Sequence, residues 1–269
     1  MTMKQKVFFP ALVLALTCAS VAQAAPYTLT ILPDLAGGID ESRGYGVNNS
    51  GQVVGFSMAT TGRRGFIWSA GGGMVNLGDL PGGTNISDAR GINTAGAVTG
   101  YSNAASGWRA FVWTPGGGMV DIGEPPGGID DSNGVAINDV GQVAGEGGIV
   151  GSDRAFQWTP GGGGFVDLGD LPGGTNYSVG NAINASGHVA GSSSAGTGSR
   201  AFLWTPGGLT DIGELPGGAN DSFGFGINDA DQIVGNSSAA GGRRAFLWTP
   251  GSGMIDLGFL AGGDGNSFA

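Results

Sequence analysis

Apolar and polar positions repeat along the chain with a period of about 45 residues. Within each period, four short stretches alternate apolar with polar residues, and turn-forming residues separate them. Alternation with a period of two predicts β-strands that bury one face. The register is marked by Trp68, Trp113, Trp158, Trp204 and Trp248, which are spaced 45, 45, 46 and 44 residues apart. The pattern therefore predicts five tandem copies of one four-stranded unit.

The first two strands of each unit are predicted to form a hairpin. In the second unit, the first strand ends at Ile92-Asn93 and the second strand runs through Val98-Thr99-Gly100. Four units carry a glycine three positions after the asparagine, which suits the left-handed backbone of a tight loop. The fifth unit carries Asp231 there, and aspartate also tolerates this conformation.

The third strand carries the most regular motif, Arg-Ala-Phe-x-Trp, as at Arg109–Trp113. Hairpin pairing with the fourth strand sets the arginine beside an acidic residue in four units. The predicted pairs are Arg64 with Asp79, Arg109 with Glu124, Arg154 with Asp170, and Arg200 with Glu214. In the fifth unit the same count places Arg244 beside Phe259. We therefore predict that Arg244 lacks an acidic partner and name it as a candidate ligand contact.

Four antiparallel strands in about 45 residues match the length of one β-propeller blade. We predict an all-β, β-propeller-like domain with repeats at about 37–81, 82–126, 127–172, 173–216 and 217–261. The alternative is an open stacked array of β-hairpins, whose exposed strand edges would promote self-association. The 58 glycines and the absence of a sustained 3.6-residue pattern exclude a helical solenoid.

The first 24 residues have the features of an export signal. Two lysines precede the apolar run Phe8–Val21, and Ala22-Gln23-Ala24 provides a small-x-small cleavage site. Polar residues interrupt the run, which falls short of the roughly 20 apolar residues that a membrane span requires. We predict a signal peptide at 1–24, a single β-repeat domain at 25–269, and a secreted, extracellular protein without a transmembrane segment.

Charge and residue usage narrow the function. Both lysines lie in the signal, which leaves nine arginines against 21 acidic residues. This balance argues against nucleic acid as a partner, because phosphate binding depends on clustered positive charge. The single cysteine, Cys18, also lies in the signal, and His188 is the only histidine. The chain after the signal therefore lacks the residues that Cys–His catalysis and zinc binding require. We predict no catalytic residue and no organic cofactor.

Acidic residues recur in the loop that follows the Gly-Gly pair of the units. Calcium prefers carboxylate and carbonyl oxygens, so Asp40, Asp88, Asp131 and Asp221 are its candidate ligands. The other interpretation is that these residues form Asx-turns between units. We favour turns, because the spacing matches no EF-hand loop.

The tryptophans fall into two groups. The five in the motif are predicted to lie in the core, whereas Trp108 lies outside the register, directly before Arg109. An aromatic residue outside the structural register is free to contact a ligand. Trp108 is therefore a candidate ligand contact, with a locally packed loop residue as the alternative.

Arg109–Trp113, with Ile92-Asn93-x-x-Gly96 and Leu80-Pro81-Gly82-Gly83, resembles the bacterial extracellular HAF repeat family, which is named for a His-Ala-Phe motif. The resemblance covers all of 25–269. Arginine stands in place of histidine in every unit, and Gly65 replaces the alanine in the first. Membership implies export and a repeat architecture, but no substrate.

These observations predict a secreted, non-enzymatic module that binds carbohydrate or another component of the cell envelope. The repeated residues are expected to serve the fold, and no convergent catalytic set is visible. The alternative is an extracellular propeller-type polysaccharide hydrolase or lyase, with paired carboxylates on one face of the ring.

Overall fold

The computed structural model describes residues 28–262 and 265–269, so the predicted signal peptide at 1–24 lies outside the described residues. Twenty β-strands form five four-stranded antiparallel units, which we call blades 1 to 5. One parallel pairing, between Trp108 and Asp131, joins blades 2 and 3 into a single eight-stranded sheet. All five belong to one compact unit, Leu32–Ala269. None of the residues described forms a helix able to span a membrane. The predicted all-β architecture is confirmed.

Each blade uses four consecutive strands that pair in sequence order. Blade 1 contains β1 (Gly37–Val47), β2 (Val53–Ala59), β3 (Gly62–Ser69) and β4 (Gly73–Asn76). Blade 2 contains β5 (Ser87–Ile92), β6 (Val98–Ala104), β7 (Gly107–Thr114) and β8 (Gly118–Gly123). Blade 3 contains β9 (Gly128–Ile137), β10 (Val143–Ile149), β11 (Ser152–Thr159) and β12 (Gly164–Gly169). Blades 4 and 5 contain β13 (Ser178–Ile183), β14 (Val189–Ala195), β15 (Gly198–Thr205), β16 (Gly208–Asp211), β17 (Ser222–Ile227), β18 (Ile233–Ala239), β19 (Gly242–Thr249) and β20 (Gly253–Asp256).

The hairpin loops between the first two strands form as the sequence predicts. The loop glycines Gly51, Gly96, Gly141 and Gly187 have φ angles from 72° to 84°. Asp231 takes the same left-handed conformation, with φ at 58°. The preceding asparagine stabilises the loop, because Asn93 Oδ1 accepts a hydrogen bond from the backbone N–H of Ala97 at 2.9 Å.

The hydrophobic cores lie between neighbouring blades. In the first core, Phe111 and Val98 of blade 2 pack against Val54, Ile67 and Leu77 of blade 1. Equivalent cores join blades 2 and 3, blades 3 and 4, and blades 4 and 5. Among the described residues, no such core joins blade 5 to blade 1. Each blade therefore buries its apolar face only by stacking on a neighbour, as repeat architectures require.

The motif tryptophans are less buried than predicted. Trp204 is 8% exposed, whereas the other four are only partly buried. The fully buried residue of the motif is the phenylalanine two positions earlier: Phe66, Phe111, Phe156, Phe202 and Phe246 are at most 1% exposed. Both side chains point to the same face of the strand. The tryptophan is the penultimate residue of its strand and therefore lies at the rim of the core, next to the turn.

Serine hydroxyls fasten each blade to the next. The hydroxyl of Ser178, at the start of blade 4, accepts from the N–H of Ala155 at 2.9 Å and donates to the carbonyl of Gly169 at 2.6 Å. Both partners belong to blade 3. Three other serines, Ser87, Ser132 and Ser222, repeat this arrangement in blades 2, 3 and 5. Ser267, in the segment after blade 5, makes the same two contacts with blade 5, and we call these five residues the clamping serines.

Candidate functional site

The first strands of the five blades lie innermost, around a central channel. One mouth of the channel is lined by their last residue and the asparagine that follows: Val47-Asn48, Ile92-Asn93, Ile137-Asn138, Ile183-Asn184 and Ile227-Asn228. Each asparagine amide donates to the backbone carbonyl of the next asparagine, at 2.9, 3.0, 2.9 and 3.1 Å. These four links join the five blades, so the mouth has a structural role.

Deeper in the channel, the wall differs from blade to blade. Two residues before the end of each first strand, the five repeats carry Tyr45, Arg90, Val135, Asn181 and Phe225. The positions on either side hold only glycine or alanine. The first four of these side chains line a cavity of about 390 Å³. We call this set the channel layer.

A second concave surface, the blade 2–3 groove, is lined by Tyr101 and Trp108 of blade 2 and by Asp131, Asn133 and Glu146 of blade 3. Trp108 is 38% exposed and meets Tyr101 edge to face, with ring centroids 5.5 Å apart. The backbones of Trp108 and Asp131 pair in parallel. The structure thus brings together two of the residues selected from the sequence.

The groove concentrates negative charge. Asp131, Glu146 and Asp153 form no ion pair within the described part of the chain. Burial raises the pKa of Glu146, and the carboxylates of Asp153 and Asp131 raise it further. Burial, followed by the charge of Asp153, also raises the pKa of Asp131. Asn133 donates to Glu146 Oε1 at 3.4 Å, which only partly opposes this shift.

Blade 3 differs from the other blades beside the groove. Elsewhere a serine of the second strand accepts from a leucine N–H at 2.9 to 3.0 Å: Ser57 from Leu35, Ser102 from Leu80, Ser193 from Leu171, and Ser237 from Leu215. In blade 3, Pro125 replaces the leucine and has no N–H to donate. Gly147 replaces the serine, and a Cβ there would lie 2.6 Å from Pro125 Cδ. The two replacements therefore fit each other.

Sequence reasoning missed Glu146 and Asp153. A comparison among the five repeats would have found them. Glu146 stands where the other repeats carry Phe56, Tyr101, Ser192 and Asn236, and Asp153 stands where they carry Arg63, Trp108, Ser199 and Arg243. The signal is therefore the disagreement among the repeats at these two positions, which the channel layer shares.

The calcium candidates Asp40, Asp88, Asp131 and Asp221 lie in separate places. Asp88 is fully buried, and its Oδ1 lies 2.5 Å from Arg63 Nε. Asp221 pairs with Arg243. Within the described ranges, no three His, Cys, Asp or Glu side chains are grouped so as to hold a metal ion.

The predicted arginine–acid pairs form in the first four blades. Arg64 lies 3.3 Å from Asp79, and Arg109–Glu124, Arg154–Asp170 and Arg200–Glu214 are each 3.1 Å apart. Arg244 lies 4.4 Å over the Phe259 ring, in the predicted register. Its Nε is also 3.9 Å from Asp256, so the prediction that Arg244 lacks an acidic neighbour is wrong. Asp256 is the last residue of β20, the fourth strand of blade 5. Arg244 is only 7% exposed and lies in blade 5, whereas Trp108 lies in blade 2.

No family model and no curated protein matches the chain. Among solved structures, it is similar to TolB from Acinetobacter baumannii, with a TM-score of 0.51 and 9% identity over 78% of this chain and 52% of that one. It is also similar to a gluconolactonase from Xanthomonas campestris, with a TM-score of 0.46 and 14% identity over 80% and 75% of the two chains. The chain spans about half the length of TolB. Together with the tandem four-stranded sheets, the likeness to TolB shows a β-propeller-like fold.

Proposed function

We propose that this chain is an exported, non-enzymatic binding module of the HAF repeat type, which holds carbohydrate in the blade 2–3 groove. The observation that carries the proposal is the placement of the exposed Trp108 ring beside the oxygen atoms of Asp131, Asn133 and Glu146. An aromatic ring covers the apolar face of a sugar, while nearby oxygen atoms accept hydrogen bonds from its hydroxyl groups. A glycan of the cell envelope offers both features.

A binding role is also supported by the use of the repeated polar side chains. The asparagines and serines join neighbouring blades, and the motif arginines pair with acidic residues of their own blade. His188 contacts the neighbouring blade, since its Nδ1 in blade 4 lies 2.8 Å from Asp231 Oδ1 in blade 5. These groups are engaged in the fold, whereas Asp131 and Glu146 of the groove form no ion pair in the described part of the chain.

Glycan binding is best tested on a glycan array, with the affinity of each hit then measured by calorimetry. Trp108→Ala is expected to weaken binding at least about tenfold, because aromatic anchors dominate such sites. Ser199→Ala is the matched control, because Ser199 occupies the same repeat position in blade 4. Unchanged affinity in a folded Trp108→Ala variant would contradict the proposal.

A polysaccharide hydrolase or lyase is the second candidate, and the raised pKa values of Glu146 and Asp131 favour it. A raised pKa keeps a carboxyl group protonated to a higher pH than usual, which is the direction of shift that general acid catalysis uses. Release of reducing ends or of unsaturated sugars, abolished by Glu146→Gln, would establish this candidate. Binding without turnover would support the binding module.

Export is tested separately from binding. We expect expression of the full chain in a bacterial host to give an extracellular or periplasmic protein that begins at Ala25. Amino-terminal sequencing of the exported protein checks the cleavage site. Retention of residues 1–24 on a cytoplasmic product would contradict the signal peptide.

A further inference from the structure

Arg90 of β5 is held between two aromatic rings in the channel layer. Its guanidinium carbon lies 4.3 Å from the ring centroid of Tyr45 and 5.3 Å from that of Tyr101. Stacking on aromatic rings leaves the N–H groups in the guanidinium plane free for other partners. The rings therefore fix the position of a planar donor group that lines the channel cavity.

The hydrogen-bonding capacity of Arg90 is largely unused within the described part of the chain. Its one hydrogen bond there joins Nη2 to the Tyr101 hydroxyl at 3.5 Å, the limit for such a contact. Its Nε is buried and has no hydrogen-bond partner among the described residues. A guanidinium has five N–H donors, so this side chain can accept further hydrogen-bond partners.

The charge of Arg90 is only partly balanced. Asp88 Oδ2 lies 3.5 Å from Arg90 Nη2. The same carboxylate also binds Arg63 through both oxygens, at 2.5 Å each, and accepts from the Tyr101 hydroxyl at 2.9 Å. One buried carboxylate therefore faces two guanidinium groups. Arg63, Arg90 and Asp88 by themselves carry a net positive charge. Glu146, across Tyr101 in the blade 2–3 groove, is near enough for the charge of Arg90 to oppose the rise in its pKa.

The cavity beside Arg90 has the size and polarity of a small-molecule site. Its volume of about 390 Å³ falls within the range of ligand pockets. Asn181 lines the same cavity, and its side-chain amide already donates to the carbonyl of Gly224 at 2.8 Å. Its side-chain oxygen is the group left to accept a hydrogen bond from a ligand hydroxyl. Val135 and Ile137 form an apolar part of the cavity wall.

We infer that the central channel is a second binding site, which takes a small molecule bearing one carboxylate and several hydroxyl groups, such as a sugar acid. Arg90 binds the carboxylate, because its planar fork matches a carboxylate with two parallel hydrogen bonds. Asn181 accepts from a hydroxyl group. A single net positive charge suits a monoanion better than a phosphate dianion. The site does not depend on the function proposed for the blade 2–3 groove.

The inference is tested by calorimetry with D-glucuronate and D-glucose, which differ by a carboxylate in place of a hydroxymethyl group. The wild-type protein is expected to bind glucuronate at one site, at least about tenfold more tightly than glucose. Arg90→Gln is expected to remove this preference. Arg43→Gln is the charge-matched control, because Arg43 lies on β1 and contacts Phe56 rather than the cavity. It is expected to leave the glucuronate affinity unchanged.

A second variant keeps the inference testable if Arg90→Gln does not fold. Asn181→Asp adds a carboxylate to the cavity wall and is expected to weaken glucuronate binding at least about tenfold, through repulsion between like charges. Circular dichroism checks the fold of each variant. Equal affinity for glucose and glucuronate, absence of saturable glucuronate binding by the wild type, or unchanged binding in folded Arg90→Gln or Asn181→Asp protein would each overturn the inference.

Discussion

The positions at which the five repeats agree differ in role from those at which they disagree. The motif phenylalanines and the mouth asparagines recur in all five repeats, and the clamping serines recur from blade 2 onwards. Each of them contacts a neighbouring blade or a part of its own blade. The channel layer and the blade 2–3 groove carry a different side chain in almost every repeat, and they line cavities. Agreement among repeats therefore marks what stacking requires. Positions at which the repeats carry different residues are not constrained by stacking, so their side chains are available to contact a ligand.

The largest effect is expected within the shared positions. Phe156→Ala should lower the free energy of unfolding by about 3–5 kcal/mol, because it leaves a cavity between two blades. Phe156 is fully buried and packs edge to face on Phe165, with ring centroids 4.9 Å apart. Trp158→Ala should cost less, since Trp158 is only partly buried. Urea unfolding of both variants measures the difference.

A larger loss in Trp158→Ala than in Phe156→Ala would contradict this assignment of the core. Trp108→Ala is the control outside the register, and it should change the free energy of unfolding least of the three. The same variant tests binding, so one protein shows whether stability and ligand contact are separable.

The second prediction concerns the serine clamp between blades 3 and 4. Ser178→Ala should cost about 1–3 kcal/mol, because it leaves the buried N–H of Ala155 without its acceptor. Thermal unfolding with calorimetric detection gives the value. Ser199→Ala, in the same blade, is the control and should be nearly neutral. Equal stability of the two variants would show that the clamp contributes little.

The third prediction concerns Gly147 and Pro125, which replace the serine and the leucine of the other blades. Gly147→Ser alone should destabilise by roughly 1 kcal/mol or more, because its Cβ meets Pro125. Adding Pro125→Leu restores the N–H to which the serine of the other blades bonds. The double variant should therefore be more stable than Gly147→Ser, with a coupling of about 0.5–3 kcal/mol. A double-mutant cycle in urea measures it, and purely additive effects would contradict the pairing.

The sequence predicts the local features of the fold better than it predicts the depth of burial. Strand positions, loop conformations and the arginine–acid pairs follow from the period, because local turn chemistry and hairpin register involve residues close in the chain. The depth to which each side chain is buried does not follow from the period. Phe156 and Trp158 occupy the same face, and only the packing of the next blade decides which one is central.

The candidate sites are harder to predict from sequence for a related reason. Trp108 is identifiable because it departs from the repeat, but Asp131 and Glu146, which line the groove with it, come from the next blade. Arg90 looks like one more charged residue of a strand. Its role depends on Tyr45, 45 positions earlier in the chain, and on a channel that exists only when the blades surround it.

The fourth prediction concerns the carboxyl group of Glu146 in the blade 2–3 groove. Glu146→Gln should raise the melting temperature at pH 7, because it removes a carboxylate whose ionisation burial opposes. The folded pKa of Glu146 is raised above its ordinary value of 4.5. The gain in melting temperature should therefore shrink as the pH falls through the raised pKa. It should vanish below pH 4.5, where Glu146 of the wild type is protonated in both the folded and the unfolded state. Glu41→Gln, on exposed β1, is the control. A gain that is constant with pH would contradict the buried charge.

The smallest effect is expected from calcium. Mass action would raise the melting temperature if the acidic loops bound the ion, but Asp88 and Asp221 already pair with Arg63 and Arg243. Millimolar calcium, and its removal by a chelator, should leave the melting curve unchanged. A rise with calcium but not magnesium, lost in Asp131→Asn and kept in Asp221→Asn, would instead locate an ion in the blade 2–3 groove, where the carboxylates lack arginine partners. Such a result would make the groove an ion-dependent site, and it would show that disagreement among repeats can mark a metal ligand as well as a sugar contact.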